Sequence, residues 1–126
     1  MKRIKQIVVA LLLVFGLFGS MPAVANAATL STTEFGTFSY SLTRSGSTVA
    51  AKTSVTKTAK NLITSIEIQV NATGETLVNT SVTKSNVKIN NVIKATNYST
   101  STKLACFSCH EARGTSSVAR YLAEKF

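Results

Sequence analysis

Between Leu62 and Val70 the chain alternates. Leu62, Thr64, Ile66, Ile68 and Val70 fall on one side of an extended backbone, and Ile63, Ser65, Glu67 and Gln69 on the other. Successive side chains of a β-strand point to opposite faces, so this period predicts a strand with one dry face. Asn71-Ala72-Thr73-Gly74 follows with the composition of a hairpin turn. Alternation resumes over Glu75–Lys84, where Val78, Thr80 and Val82 share a face. Ser85-Asn86 reads as a second turn, and Val87–Ala95 sets Val87, Ile89 and Ile93 together with Asn91 interrupting. Upstream, Glu34–Thr43 carries Phe38, Tyr40 and Leu42 on one side. Arg44-Ser45-Gly46-Ser47 turns the chain, and Thr48–Lys57 offers Val49, Ala51, Thr53 and Val55 as an inner face. Thr102–His110 is apolar enough for a further strand.

The tail admits two readings. In Ser117–Phe126, Val118, Tyr121, Leu122 and Phe126 follow helical spacing, with Arg120 and Glu124 as an i,i+4 pair and Ser117 as a cap. A final strand would instead close the sheet, and ten residues make a marginal helix without packing. The sheet context favours the strand. Frequent turn signals with no long helical stripe predict an all-β fold. It is a small antiparallel sandwich or barrel of about six to seven strands, following an N-terminal signal helix.

The first 27 residues differ from the rest. Lys2, Arg3 and Lys5 give a positive start, Ile7–Phe18 is apolar apart from Gly16, and Gly19, Ser20 and Pro22 break the run before Ala25-Asn26-Ala27. These are the parts of a cleavable signal peptide. The apolar run is short of the about 20 residues a spanning helix needs. Cleavage is expected after Ala27, with Ala25 the other site. The domain division is therefore 1–27 as leader and 28–126 as one β-rich domain, a product that is secreted or held at the cell envelope.

Composition sharpens this picture. Residues 28–126 contain 18 Thr and 14 Ser and lack Met, Trp, Asp and Pro. β-branched Thr fits a half-buried sheet, whereas a disordered Ser/Thr stalk is usually rich in Pro. The whole chain carries a formal charge of +9. Three of its basic residues fall in the leader, leaving 11 Lys and Arg against 5 Glu, or +6. The basic residues form no run. A spread positive charge favours anionic polymers or membrane surfaces, which outside a bacterial cell means wall or lipid phosphates, and another surface protein is the remaining class of partner. Nucleic acid is disfavoured by the compartment and by aromatics that do not interleave with the basic residues. A secreted antimicrobial or toxin-like effector shares the same small, basic, exported character.

One constellation could carry chemistry. Cys106-Phe107-Ser108-Cys109-His110 is a C-x-x-C-H, the spacing at which two thiols bond haem vinyl groups and the adjacent His reaches the iron. The pentad resembles that of cytochromes c′, which carry it close to the end of the chain. That resemblance implies covalent haem on Cys106 and Cys109, His110 as axial ligand and a four-helix bundle. It covers five residues, and the sequence upstream reads as sheet. His110 is the chain's one His, and no Met is left to serve as a sixth ligand. A Cys106–Cys109 disulfide is the second reading, since exported thiols tend to oxidise. Residues i and i+3 of a regular strand face opposite ways, so that bond would need a turn or bulge. The plainest reading is two small residues packed as apolar groups in a strand. Cys106, Cys109 and His110 fall short of the four ligands of a structural zinc site, so no metal is expected. With five scattered Glu and no Ser-His-acid spacing, no catalytic residues stand out, and the expectation is a non-enzymatic domain without a cofactor.

Overall fold

The computed structural model describes residues 24–126; the expected leader up to Ala23 lies outside them. Among the described residues there are six antiparallel strands and no helix. They are β1 (Val24–Thr32), β2 (Gly36–Ser45), β3 (Thr48–Val70), β4 (Thr76–Ala95), β5 (Leu104–Arg113) and β6 (Ser117–Lys125). The strands are hydrogen-bonded in the order β1-β2-β3-β5-β6, with β4 on the other edge of β3, and the sheet curls into a nearly closed barrel.

Four expected strands are in fact two. Thr48–Lys57 and Leu62–Val70 are the halves of β3, which runs 23 residues, and Glu75–Lys84 and Val87–Ala95 are joined in the 20 residues of β4. The break in alternation has a different cause from the expected turn. The register of β3 on β4 shifts between Ser54 and Ala59. Just beyond it, between Ala59 and Leu62, the buried side of β3 changes from Val49, Ala51, Thr53, Val55 and Ala59 to Leu62, Thr64, Ile66, Ile68 and Val70. Extra residues in one strand of a pair bend it and deepen its twist. The bend splits β3 between two neighbours on the edge away from β4. Its first half pairs with β2 and its second with β5. Asn86, expected in a turn, stays within β4 at φ 57°, a left-handed conformation that Asn tolerates.

The tail is a strand. Ser117–Lys125 pairs with β5 from Arg113↔Ser117 to Ala105↔Lys125. Leu122 enters the core while Tyr121 faces solvent, which alternation demands and a helical stripe would not. β1 was hidden in the sequence by its overlap with the expected leader. Val24–Ala27 form its first rungs, paired with Arg44 to Ser41 of β2.

Phe35, Phe38, Leu42, Val49, Leu62, Ile66, Ile68, Leu104 and Leu122 fill the interior. Full burial of each such side chain is worth about 1.5–3 kcal/mol. Each end of the barrel also has a polar fastening. At one end the Glu34 carboxylate, in the β1–β2 turn, accepts from the amides of Thr115 and Ser116 at 2.8 and 2.7 Å and from the Ser116 hydroxyl. A β-carbon on Gly114 would meet that carboxylate, so a larger residue there would push Glu34 off its hydrogen bonds. At the other end the buried Arg44 guanidinium donates to the carbonyls of Gly46, Ser99, Thr102 and Phe126 at 2.5–3.0 Å.

Candidate functional site

The five residues of the C-x-x-C-H lie in the regular part of β5, and alternation divides them. Cys106, Ser108 and His110 point inward and are buried. Phe107 and Cys109 point outward and are partly covered. Both cysteines are free. The structure therefore puts His110 and Cys106 on the same inward face, four residues apart, and separates the two thiols across the sheet. Neither a Cys106–Cys109 disulfide nor a haem plane facing both sulfurs is presented by this strand. Burial pushes the Cys106 thiol up to about 12, and burial also raises that of Cys109, beside Tyr121 on β6. Neither thiol is primed as a nucleophile, because the thiolate is the reactive form.

His110 instead anchors a buried hydrogen-bonded chain. Its Nε2 lies 2.6 Å from Ser108 Oγ, and its Nδ1 lies 2.8 Å from Thr53 Oγ1. Thr53 Oγ1 is 2.7 Å from Thr64 Oγ1, which donates to the Asn90 carbonyl at 3.1 Å. Each hydroxyl has one proton, and that fixes every direction. Thr64 gives its proton to Asn90, so it accepts from Thr53. Thr53 must then accept from His110 Nδ1–H, which leaves Nε2 to accept from Ser108. The imidazole is thus the neutral Nδ1–H tautomer. Burial drives its pKa down from 6.5 to about 3, with a backbone hydrogen bond to Lys52 opposing the shift. Ser108 beside His110 has the look of a nucleophile and base. Yet Ser108 is 4% exposed, and no carboxylate meets the ring through its two hydrogen bonds. The Asn90 side-chain amide closes the system by donating to the carbonyls of Leu62 and Val82 at 2.7 and 2.8 Å.

The exterior carries a feature the sequence concealed. Lys52, Lys57, Lys60, Lys84, Lys88 and Lys94 are all exposed and all lie on β3 or β4; Lys57 and Lys88 fall within the register shift itself and the other four on either side of it. Lys52 stands opposite Asn91, Lys84 opposite Leu62 and Lys94 opposite Val49. No Glu occurs in β3 before Glu67 or anywhere in β4. Among the described residues the one ion pair is Glu111–Arg113, so these six ammonium groups have no carboxylate partner. Their spacing along the chain looks scattered, and only the hairpin register gathers them. An open pocket of about 350 Å³ lies at the bulge, lined by Glu34, Thr58, Ala59, Lys60, Asn86 and the Gly114–Thr115 turn. Among the described residues no three His, Cys, Asp or Glu converge on a point that could hold a metal. Compared with models of protein families, with curated proteins and with solved structures, the chain matches none.

Proposed function

We propose that this is an exported, non-enzymatic binding module that attaches to anionic polymer at or near the cell envelope through the β3–β4 lysine ribbon. The observation that supports it is the gathering of six exposed lysines on one hairpin with no carboxylate partner. Charges left unpaired on a rigid ribbon attract polyanions without a shaped pocket. They do so over about 8 Å at physiological ionic strength. A buried, fully hydrogen-bonded His110 and two high-pKa thiols are consistent with a scaffold that performs no group transfer. The test is co-sedimentation with isolated bacterial wall that carries its anionic phosphate polymer, and with the same wall stripped of it. Binding to the first that weakens steeply with salt is expected. A Lys84→Gln/Lys88→Gln/Lys94→Gln variant should lose it, while Lys103→Gln/Lys125→Gln retains it. Equal binding to stripped wall, or indifference to salt, would end this reading.

A further inference from the structure

β4 has a second edge that meets no other strand. Over its 20 residues it pairs with β3 alone, and among the described residues no other strand approaches it. Folded proteins usually keep edge strands short, cover them or break them with Pro, because a row of unpaired N–H and C=O groups templates another strand. β4 is long, contains no Pro and bears partly uncovered apolar groups. Val78, Val82 and Val87 are half-buried, and Ile89 and Ile93 are 52% and 62% exposed.

Its lysines define what can join it. Lys84 stands opposite Leu62 and Lys94 opposite Val49, and both partners are core residues. Directly opposed residues share a face. Both lysines therefore occupy inward positions of the pleat, yet both are exposed. A side chain that starts inward and ends in solvent must leave the pleat, and the unpaired edge of β4 is a way out that no strand blocks. A strand laid along that edge would cover the two ammonium groups, which is unfavourable unless it supplies carboxylates. β4 has no carboxylate of its own. Two copies pairing β4 on β4 would set the lysines of one against those of the other.

We propose that the free edge of β4 accepts an extended acidic segment of a partner protein as a seventh strand. Main-chain hydrogen bonds supply the affinity, and Lys84 and Lys94 select carboxylates and reject a second copy. This does not rest on the polymer reading, because strand addition needs peptide N–H and C=O groups that a phosphate polymer lacks.

The probe is an acetylated decapeptide of alternating Glu and Val, titrated into the purified chain while amide exchange is followed. Slowed exchange over the Lys84–Lys94 stretch of β4 is expected, with affinity at least about tenfold above that of the matched Lys/Val peptide. Methylating every backbone nitrogen of the Glu/Val peptide keeps its charge and removes the donors of both its edges. That peptide, and the unmethylated one offered to Lys84→Gln/Lys94→Gln, should each bind about tenfold or more weakly. Unchanged affinity for the methylated peptide reduces the contact to charge attraction and overturns the proposal. So does β4 protection without peptide accompanied by a dimer in sedimentation equilibrium, which would identify a second copy as the occupant. If wall binding fails while the peptide still protects β4, the polymer reading falls and this one stands.

Discussion

Thr53 and Thr64 sit 11 residues apart on one strand, and their hydroxyl oxygens meet at 2.7 Å inside the barrel. A straight strand would hold them more than 30 Å apart at about 3.3 Å per residue. Their contact is the bend of β3 expressed at atomic scale. The bulge folds the strand, and the buried hydroxyls lock the two halves together through His110.

That arrangement makes Thr53→Val the sharpest test of the interior. Valine has the same shape, but it strands His110 Nδ1–H and leaves Thr64 without its donor. Destabilisation of about 1–3 kcal/mol is expected, because a buried donor without an acceptor loses its hydration outright. Urea unfolding measures it. Nitrogen chemical shifts of the parent imidazole should show the Nδ1–H tautomer at neutral pH. The Nε2–H tautomer would contradict the directions assigned along the chain.

Acid should unfold the barrel in two overlapping windows, which two variants tell apart. His110 titrates at about 3 when folded against 6.5 ordinarily, so between those values the unfolded chain binds a proton that the folded chain refuses. Stability is therefore full above 6.5 and declines as pH falls toward 3, at up to about 1.4 kcal/mol per pH unit. Glu34 acts lower. The Ser116 and Thr115 hydrogen bonds hold its carboxyl at about 2 against 4.5, so its contribution is present above 4.5 and lost as pH falls through 2. In urea midpoints taken across this range, His110→Gln should flatten the upper slope and Glu34→Gln only the lower. A parent curve that is level between 6.5 and 4.5 would refute a buried neutral His110.

Much of this fold was legible because alternation is a local signal. Leu62–Val70 and its Asn71–Gly74 hairpin stand where the pattern put them, with Gly74 at φ 74° and its amide bonded to the Val70 carbonyl at 2.8 Å. The bulge was not legible, since a slip in period marks a turn and a bulge alike. Ser85-Asn86 looks the same in either case. β1 was masked because Ala25-Asn26-Ala27 matches both a peptidase site and a small-residue strand. The lysine ribbon depends on a register that pairs residues as far apart as Thr48 and Ala95, which no local window contains. The Cys-His pentad was conspicuous by spacing, and that same i,i+3 spacing already set its two thiols on opposite faces of any regular strand, as β5 does.

Alkylation distinguishes those two thiols. Iodoacetamide should add once to the native chain, at Cys109, and twice in denaturant. Cys106 is wholly buried with its thiol at about 12. The native reaction should be slow and should quicken with pH, because the Cys109 thiol is also raised. Intact mass reads the result. A product two hydrogens lighter that takes no label would mean a disulfide, which the register of β5 on β3 and β6 does not permit without local unpairing.

Asn26 would tie the proposed processing to stability. It is wholly buried opposite Leu42, and neither its Nδ2 nor its Oδ1 has a hydrogen-bond partner. An unpaired buried amide costs about 1–3 kcal/mol, so Asn26→Leu should stabilise the longer chain by about 1 kcal/mol or more. Cleavage after Ala27 removes the same residue together with the rungs from Val24↔Arg44 to Ala27↔Ser41, leaving Ala28–Thr32 on Gly36–Tyr40. The loss of pairing is thus offset by the loss of an unsatisfied amide. A chain beginning at Ala28 should keep the barrel with stability within about 2 kcal/mol of one beginning at Val24. Cleavage after Ala25 would leave Asn26 first and set its new ammonium group at the edge of the core, which predicts the less stable product of the two. Urea midpoints of chains starting at Val24, Asn26 and Ala28 rank the three. If the chain from Ala28 fails to fold while the one from Val24 folds, residues 24–27 are a structural strand and peptidase cleavage after Ala27 is excluded.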